Sequence, residues 1–165
     1  MSQQAFGIDK GNAFNDAHLG NIQSIHQIRL YEGWLLDGFE VTYVLENGST
    51  RVANHLGTAT PNAIVTFADD EVLVALTGKT TLPGYFNNDR YLNSVSFVIL
   101  NTKTGGVRVA GPFGQGGPSG SYTGRAFSIA GEIKAFSGLQ LTQSGSPSNA
   151  LTLTFPCDQV VTVGH

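Results

Sequence analysis

Three hexapeptides of one pattern recur along the chain: Ile28-Arg29-Leu30-Tyr31-Glu32-Gly33, Leu73-Val74-Ala75-Leu76-Thr77-Gly78 and Ile133-Lys134-Ala135-Phe136-Ser137-Gly138. Each reads as an apolar strand end closed by glycine. A loop follows, shortest after Gly33 and longer after Gly78 and Gly138, and then an alternating run. Those runs carry Phe39, Val41, Tyr43 and Leu45, then Val95, Phe97 and Ile99, then Leu151, Leu153 and Phe155. A period of two places each set on one face of a strand. Three sheets this small cannot each bury a face alone. The repeat therefore predicts that they pack about a pseudo-threefold axis and share one core. Turn chemistry at Asn47-Gly48-Ser49, Thr104-Gly105-Gly106 and Gly114 through Gly120 separates the runs. Asn47-Gly48-Ser49 also fits a glycosylation acceptor, but Asn-Gly between apolar runs reads first as a hairpin turn.

No segment holds the 3.6-residue period long enough to make a convincing helix, and composition agrees. Charged residues are 13% of the chain, and 21 of its 165 residues are glycine. Soluble domains average about 25% charged residues and about 7% glycine, so the chain suits many short strands joined by tight turns. Its length fits a single domain, 1–165, with a core over about 11–155. Residues 1–10 and 158–165 read as loosely tied ends.

Several function classes are excluded on elementary grounds. The net charge of −3 carries no basic stretch, so no nucleic-acid partner is expected. No window approaches the roughly 20 consecutive apolar residues of a membrane span. The opening MSQQAFGIDKGNAFND lacks the basic-then-apolar pattern of a signal peptide. Cys157 is the single cysteine and cannot form an internal disulfide; a buried, inert thiol is expected. These features point to a cytoplasmic protein, or one exported without a visible signal peptide. His18, His26, His55 and His165 show no metal-ligand spacing and read as surface or strand residues. The run Gly114 to Gly120 lacks the Lys-Ser/Thr ending of a phosphate-binding loop. Asp69, Asp70 and Glu71 form an acidic turn whose carboxylates face water rather than a paired-acid site. No catalytic residue, metal or cofactor is expected, and the chain reads as a non-enzyme.

Three further stretches carry a family resemblance. Gly11-Asn12-Ala13-Phe14-Asn15-Asp16, Ala110-Gly111-Pro112-Phe113-Gly114 with the glycine-rich loop to Ala126-Phe127, and Gly131-Glu132-Ile133-Lys134-Ala135-Phe136-Ser137-Gly138 are colinear and correctly spaced. Together, over about Gly11 to Phe155, they resemble the jacalin-related lectins. That resemblance implies an all-β fold, the β-prism I, with three four-stranded Greek-key sheets in pseudo-threefold symmetry. It also implies carbohydrate binding through a GxxxD loop facing a glycine-rich loop. Lys10 precedes Gly11 in a continuous chain, which resembles the uncut, mannose-preferring branch. The implied partners are mannose- or glucose-type glycans, including N-glycans, and further copies of the chain in a homo-dimer or tetramer.

Two loops carry the implied sugar chemistry. A carboxylate accepts from two adjacent hydroxyls through charge-assisted bonds, while glycine lets backbone N–H groups approach sugar oxygens. Gly33-Trp34-Leu35-Leu36-Asp37 is a full GxxxD directly before Phe39–Leu45. By analogy its partner loop is Asn54-His55-Leu56-Gly57-Thr58, which keeps one glycine. The bland alternative is that Asp37 caps a hairpin. Gly145-Ser146-Pro147-Ser148-Asn149 stands at the family's primary position, with asparagine for the usual aspartate. Asparagine has one acceptor oxygen and an NH₂ donor, so the double-acceptor clamp and its charge are lost. Pro147 removes a further donor, Leu139–Ser144 lengthens the loop, and Gly7 to Gly11 is the implied partner with Gly11 as the contacting glycine. A Ser/Pro/Asn turn of no consequence is the alternative here. Asp89 and Arg90 are candidates for a third wall of that site. Symmetry also suggests a third site near Asn87 to Arg90, opposite Gly116-Gly117, where solvated loop residues are the default. A β-prism used for protein contact or assembly, its sugar sites degenerate, is the competing function.

Overall fold

A computed structural model describes residues 2–81, 90–114 and 123–162. Its strands are β1 (Gln3–Phe6), β2 (Asn12–Asn15), β3 (Ile22–Glu32), β4 (Leu36–Leu45), β5 (Thr50–His55), β6 (Ala63–Thr66) and β7 (Glu71–Thr81). They continue with β8 (Leu92–Asn101), β9 (Val107–Phe113), β10 (Thr123–Ala130), β11 (Ser137–Thr142), β12 (Asn149–Pro156) and β13 (Val160–Thr162). Among the described residues these form three antiparallel sheets, ordered β5-β4-β3-β6, β13-β10-β7-β8-β9 and β1-β12-β11-β2. Each contains the Greek-key order 4-1-2-3. In the third sheet that order holds only if the N-terminal strands count as following the C-terminal hairpin. The two ends of the chain therefore complete one sheet.

The alternating runs face inward as period two requires. Phe39, Val41 and Tyr43, Val95, Phe97 and Ile99, and Leu151, Leu153 and Phe155 belong to one buried cluster drawn from all three sheets. The turns at Asn47-Gly48 and Thr104-Gly105 join β4 to β5 and β8 to β9.

Several expectations need correction. The described residues at both ends include paired strands rather than loose tails, while 1 and 163–165 lie outside the described residues. Gln3–Phe6 pairs with β12, from Gln3↔Pro156 to Phe6↔Leu153, and Phe6 stacks on Phe127 at 3.8 Å. Val160–Thr162 pairs with β10, giving the second sheet a fifth strand. Such short edge strands carry too little alternation to be read locally. The three hexapeptides are also not equivalent. Gly33 follows a strand end, Gly78 lies inside β7, and Ile133–Phe136 precede β11 outside any strand, with Ile133 and Phe136 still filling the core. Two of the three glycines sit at a close approach: a Cβ on Gly138 would overlap the Thr152 carbonyl, and one on Gly78 would sit 2.5 Å from the Phe127 ring, whereas Gly33 has room for one. Cys157 is exposed rather than buried, because it opens a 3-10 turn that carries the chain off β12 along the surface.

One buried polar network ties the first and third sheets together. The Tyr43 hydroxyl donates to Asp16 Oδ2 at 2.6 Å and accepts from the Phe136 N–H at 3.1 Å. His55 Nε2 lies 2.8 Å from Asp16 Oδ1, and Nδ1 lies 2.9 Å from Gln140 Oε1. Its ring stacks on Phe14 at 3.7 Å. His55 is thus a strand residue with a structural role. Burial, followed by the neighbouring Asp16 carboxylate, pushes the Tyr43 phenol far above its ordinary value, so it stays a donor at any ordinary pH. Tyr43→Phe strands an Asp16 oxygen and the Phe136 N–H, and is expected to cost about 1–3 kcal/mol. Urea denaturation measures this; a loss under about 0.5 kcal/mol, the low end for one ordinary hydrogen bond, contradicts it.

Candidate functional site

Between β3 and β4 the chain turns through Gly33, Trp34 and Leu35, closed by a 3.0 Å bond from the Gly33 N–H to the Leu35 carbonyl. Register then jumps. Tyr31 pairs with Gly38 and Glu32 with Leu36, which leaves Asp37 as the extra residue of a β-bulge. A bulge re-aims the side chain it inserts. Leu36 enters the main core, and Leu35 enters a smaller cluster with Ile8, Tyr91 and Ala150. Any contact from Leu35 or Leu36 to a ligand is therefore made by main chain or by a narrow edge. Trp34 is 52% exposed. Two anchors thus present the residues on either side of them.

Asp37 does not cap the hairpin: among the described residues its carboxylate accepts no hydrogen bond, and the main chain closes the turn instead. Burial, reinforced by the negative charge of Glu32, pushes its carboxyl up from 3.8 to about 6. Burial also raises Glu32, and a hydrogen bond from the Gly114 N–H to Glu32 Oε2 partly offsets that rise. Gly114, at φ +75°, is required there, since a Cβ would overlap the Asn93 carbonyl.

The segment after β5 is tied to the end of β3 beside this turn. Asn54 Oδ1 accepts from the Gly57 N–H at 2.7 Å, and the Tyr31 hydroxyl donates to the Thr58 carbonyl at 2.6 Å. Asn62 Oδ1 accepts from the Glu32 N–H at 2.7 Å. The single glycine, Gly57, is used for packing, because a Cβ would lie 2.6 Å from the Tyr31 ring. Leu56 takes the left-handed conformation, at φ 66°. That conformation costs an L-residue roughly 1–2 kcal/mol.

The Asn149 loop crowns the β11–β12 hairpin. The ladder runs out to Thr142↔Asn149, so Leu139 to Thr142 lengthen the strand and not the loop. Residues 143–148 make the turn, braced by Gln143, whose Nε2 donates to the Pro147 carbonyl at 2.8 Å. Its backbone N–H donates to the Ser148 carbonyl at 2.9 Å. Pro147 is buried, Asn149 is half-buried, and Gly145, Ser146 and Ser148 are exposed. Asn149 Oδ1 accepts from the Thr142 hydroxyl at a long 3.3 Å.

The structure brings the two loops to one cleft of about 420 Å³, lined on one side by Trp34, Leu35 and Asp37 and on another by Ser146, Pro147, Ser148 and Asn149. Tyr31, Leu56, Thr58, Thr60 and Asn62 complete it. Thr60 and Asn62 were missed in the sequence; their signal was only a polar run after Gly57. Gly11 does not line the cleft. It is seated on β11, where a Cβ would lie 2.5 Å from the Gln140 carbonyl oxygen. Arg90 is exposed. Asp89, Asn87, Asn88, Gly116 and Gly117 lie outside the described residues. No group of three or more metal-ligating side chains occurs among the described residues.

The sequence matches the Jacalin-like lectin domain family over residues 3–145. No curated protein sequence matches the chain. Among solved structures, wild-type Malaysian banana lectin superposes with a TM-score of 0.65 at 20% identity, covering 93% of this chain and 96% of that one. A mannose-binding jacalin-related lectin from Ananas comosus has a TM-score of 0.65 at 22% identity, covering 93% and 95%. A mannose-specific jacalin-related lectin from Morus nigra, solved with mannose, has a TM-score of 0.64 at 23% identity, covering 93% and 92%. These likenesses establish the β-prism fold.

The electrostatics make a prediction of their own. A carboxyl whose folded-state pKa is raised disfavours folding progressively as pH rises from its unfolded to its folded value, fully above the folded value, and not at all when protonated in both states. With Asp37 lifted from 3.8 to about 6, Asp37→Asn is expected to raise stability above pH 7 by about 1 kcal/mol, discounted because the group is partly solvated. Below about pH 3, where the carboxyl is protonated in both states, the gain should vanish. Thermal unfolding at both pH values checks this, and an equal shift at both would refute the charge explanation.

Proposed function

The chain belongs to the jacalin-like lectin family, and from that premise we propose that it binds mannose- or glucose-type glycans reversibly and without turnover. Asp37 and Asn149 are the central polar groups of this reading. The observation that carries it is Asp37: a half-buried carboxylate, re-aimed by a bulge, with no hydrogen bond from the described residues, on the wall of a cleft beside an exposed tryptophan. A carboxylate in that state has its acceptor capacity in hand. Two adjacent sugar hydroxyls can donate to it, and charge-assisted bonds of that kind are about twice as strong as neutral ones. Trp34 offers its ring to the apolar face of a pyranose. Its neighbour Glu32 is already committed to the Gly114 N–H, so among the described residues the cleft holds one available acid rather than the opposed pair that glycoside hydrolysis requires. The mannose recognised by the Ananas comosus and Morus nigra lectins is the first ligand to test.

The assembly reading has one supporting feature. Val107 and Val109 stand 61% and 63% exposed on the edge strand β9. A homo-oligomer would cover them, and it would also raise the avidity of weak sites.

A glycan array followed by calorimetry tests the reading. Binding of mannose-type glycans supports it, and no binding to any glycan favours assembly alone. Asp37→Ala is expected to weaken binding roughly 10- to 100-fold, the equivalent of about 1.5–3 kcal/mol for hydrogen bonds to a charged group. Asn149→Asp restores the family's carboxylate and is expected to strengthen it several-fold. The ligand takes ionised Asp37 and so competes with a proton. Affinity should fall as pH drops through about 6, by roughly tenfold at pH 5. A flat profile from pH 8 to pH 5 would remove Asp37 from the site.

A further inference from the structure

We infer that the Asp37 loop and the Asn149 loop serve one ligand together, a glycan of at least two hexose residues lying across the cleft. This rests on the lectin reading above and goes beyond it, because separate monosaccharide sites would satisfy that reading equally. The cleft is the first support. Its volume of about 420 Å³ is one cavity lined by Trp34 and Asp37 from the first loop and by Ser146, Ser148 and Asn149 from the second. That size falls within the roughly 300–1,000 Å³ of pockets that enclose small organic ligands.

The rigid link between the loops is the second. Leu35 follows Trp34 directly, Ala150 follows Asn149 directly, and both are buried in one cluster with Ile8 and Tyr91. Neighbouring residues of that packed unit therefore stand at a fixed separation, which is the condition for one ligand to engage both with little loss of freedom. The third is the unequal chemistry of the two walls. The Asp37 side offers a charged acceptor and an aromatic face. The Asn149 side offers an amide and two hydroxyls, neutral groups that make weaker bonds. A ring held by Asp37 raises the effective concentration of the next ring at Asn149, so the weaker wall contributes most when a longer glycan is bound.

Trp34 is the chain's single tryptophan, so its fluorescence reports occupancy of the Asp37 side directly. Mannose and a mannotriose are titrated against the intact protein, and each affinity is read at Trp34. The trisaccharide is expected to bind at least tenfold more tightly than mannose, with one molecule per chain by calorimetry. Asn149→Ala, on the far wall, should collapse that ratio toward one. Ser148→Arg, which obstructs the same wall without touching the Thr142–Asn149 pair, should do the same. Equal affinities in the wild type, two trisaccharides per chain, or a ratio unchanged in both variants would overturn the shared site while leaving mannose binding and the lectin reading intact. A wild type that binds neither sugar overturns the lectin reading, and this inference with it.

Discussion

Burial of three inner faces in one core is the constraint on which everything else depends. A four-stranded sheet with one apolar face is unstable in isolation, and the alternating residues of β4, β8 and β12 meet only because three such sheets surround the same interior. Closing that interior requires the chain ends. Phe6 from β1 stacks on Phe127 of the second sheet, while its strand completes the third. The termini are thus structural members, joined where a linear reading of the chain sees only two tails.

The same closure gives the prism a second, smaller apolar cluster at the end that carries the cleft. Ile8, Leu35, Tyr91 and Ala150 come from four separate stretches of the chain. They hold the loops that follow β1, β3 and β11 against one another. The buried Asp16–Tyr43–His55 network does comparable work between sheets, and His55 immediately precedes Leu56 on the wall of the cleft. Scaffold and loops are therefore continuous, which is how a site made of turns keeps a defined shape.

Two features of the cleft oppose stability. Asp37 is held beside Glu32 with its charge partly desolvated, and Leu56 occupies a conformation better suited to glycine. Neither is explained by packing alone. Unfavourable local choices concentrated at one surface are what a binding site looks like when its ligand supplies the missing partners.

Much of this was legible in the residues. Alternation identified the inward faces correctly because period two is a local property of a strand, and the Asn-Gly and Gly-Gly turns followed from backbone sterics. The threefold repeat implied a shared core, and GxxxD singled out Asp37. What remained hidden depended on contacts far apart in the chain. Nothing near Gln3 or Val160 reveals that an edge awaits them. Nothing near Cys157 shows the chain leaving the sheet, and nothing near Leu139 separates a longer strand from a longer loop. Above all, the loops at Asp37 and Asn149 read as two sites in sequence, and only the packing of Leu35 against Ala150 makes them walls of one cleft. Local sterics and side-chain periodicity are written residue by residue. Juxtaposition across more than a hundred residues is decided by which buried surfaces fit together, and that exists only once the prism has closed.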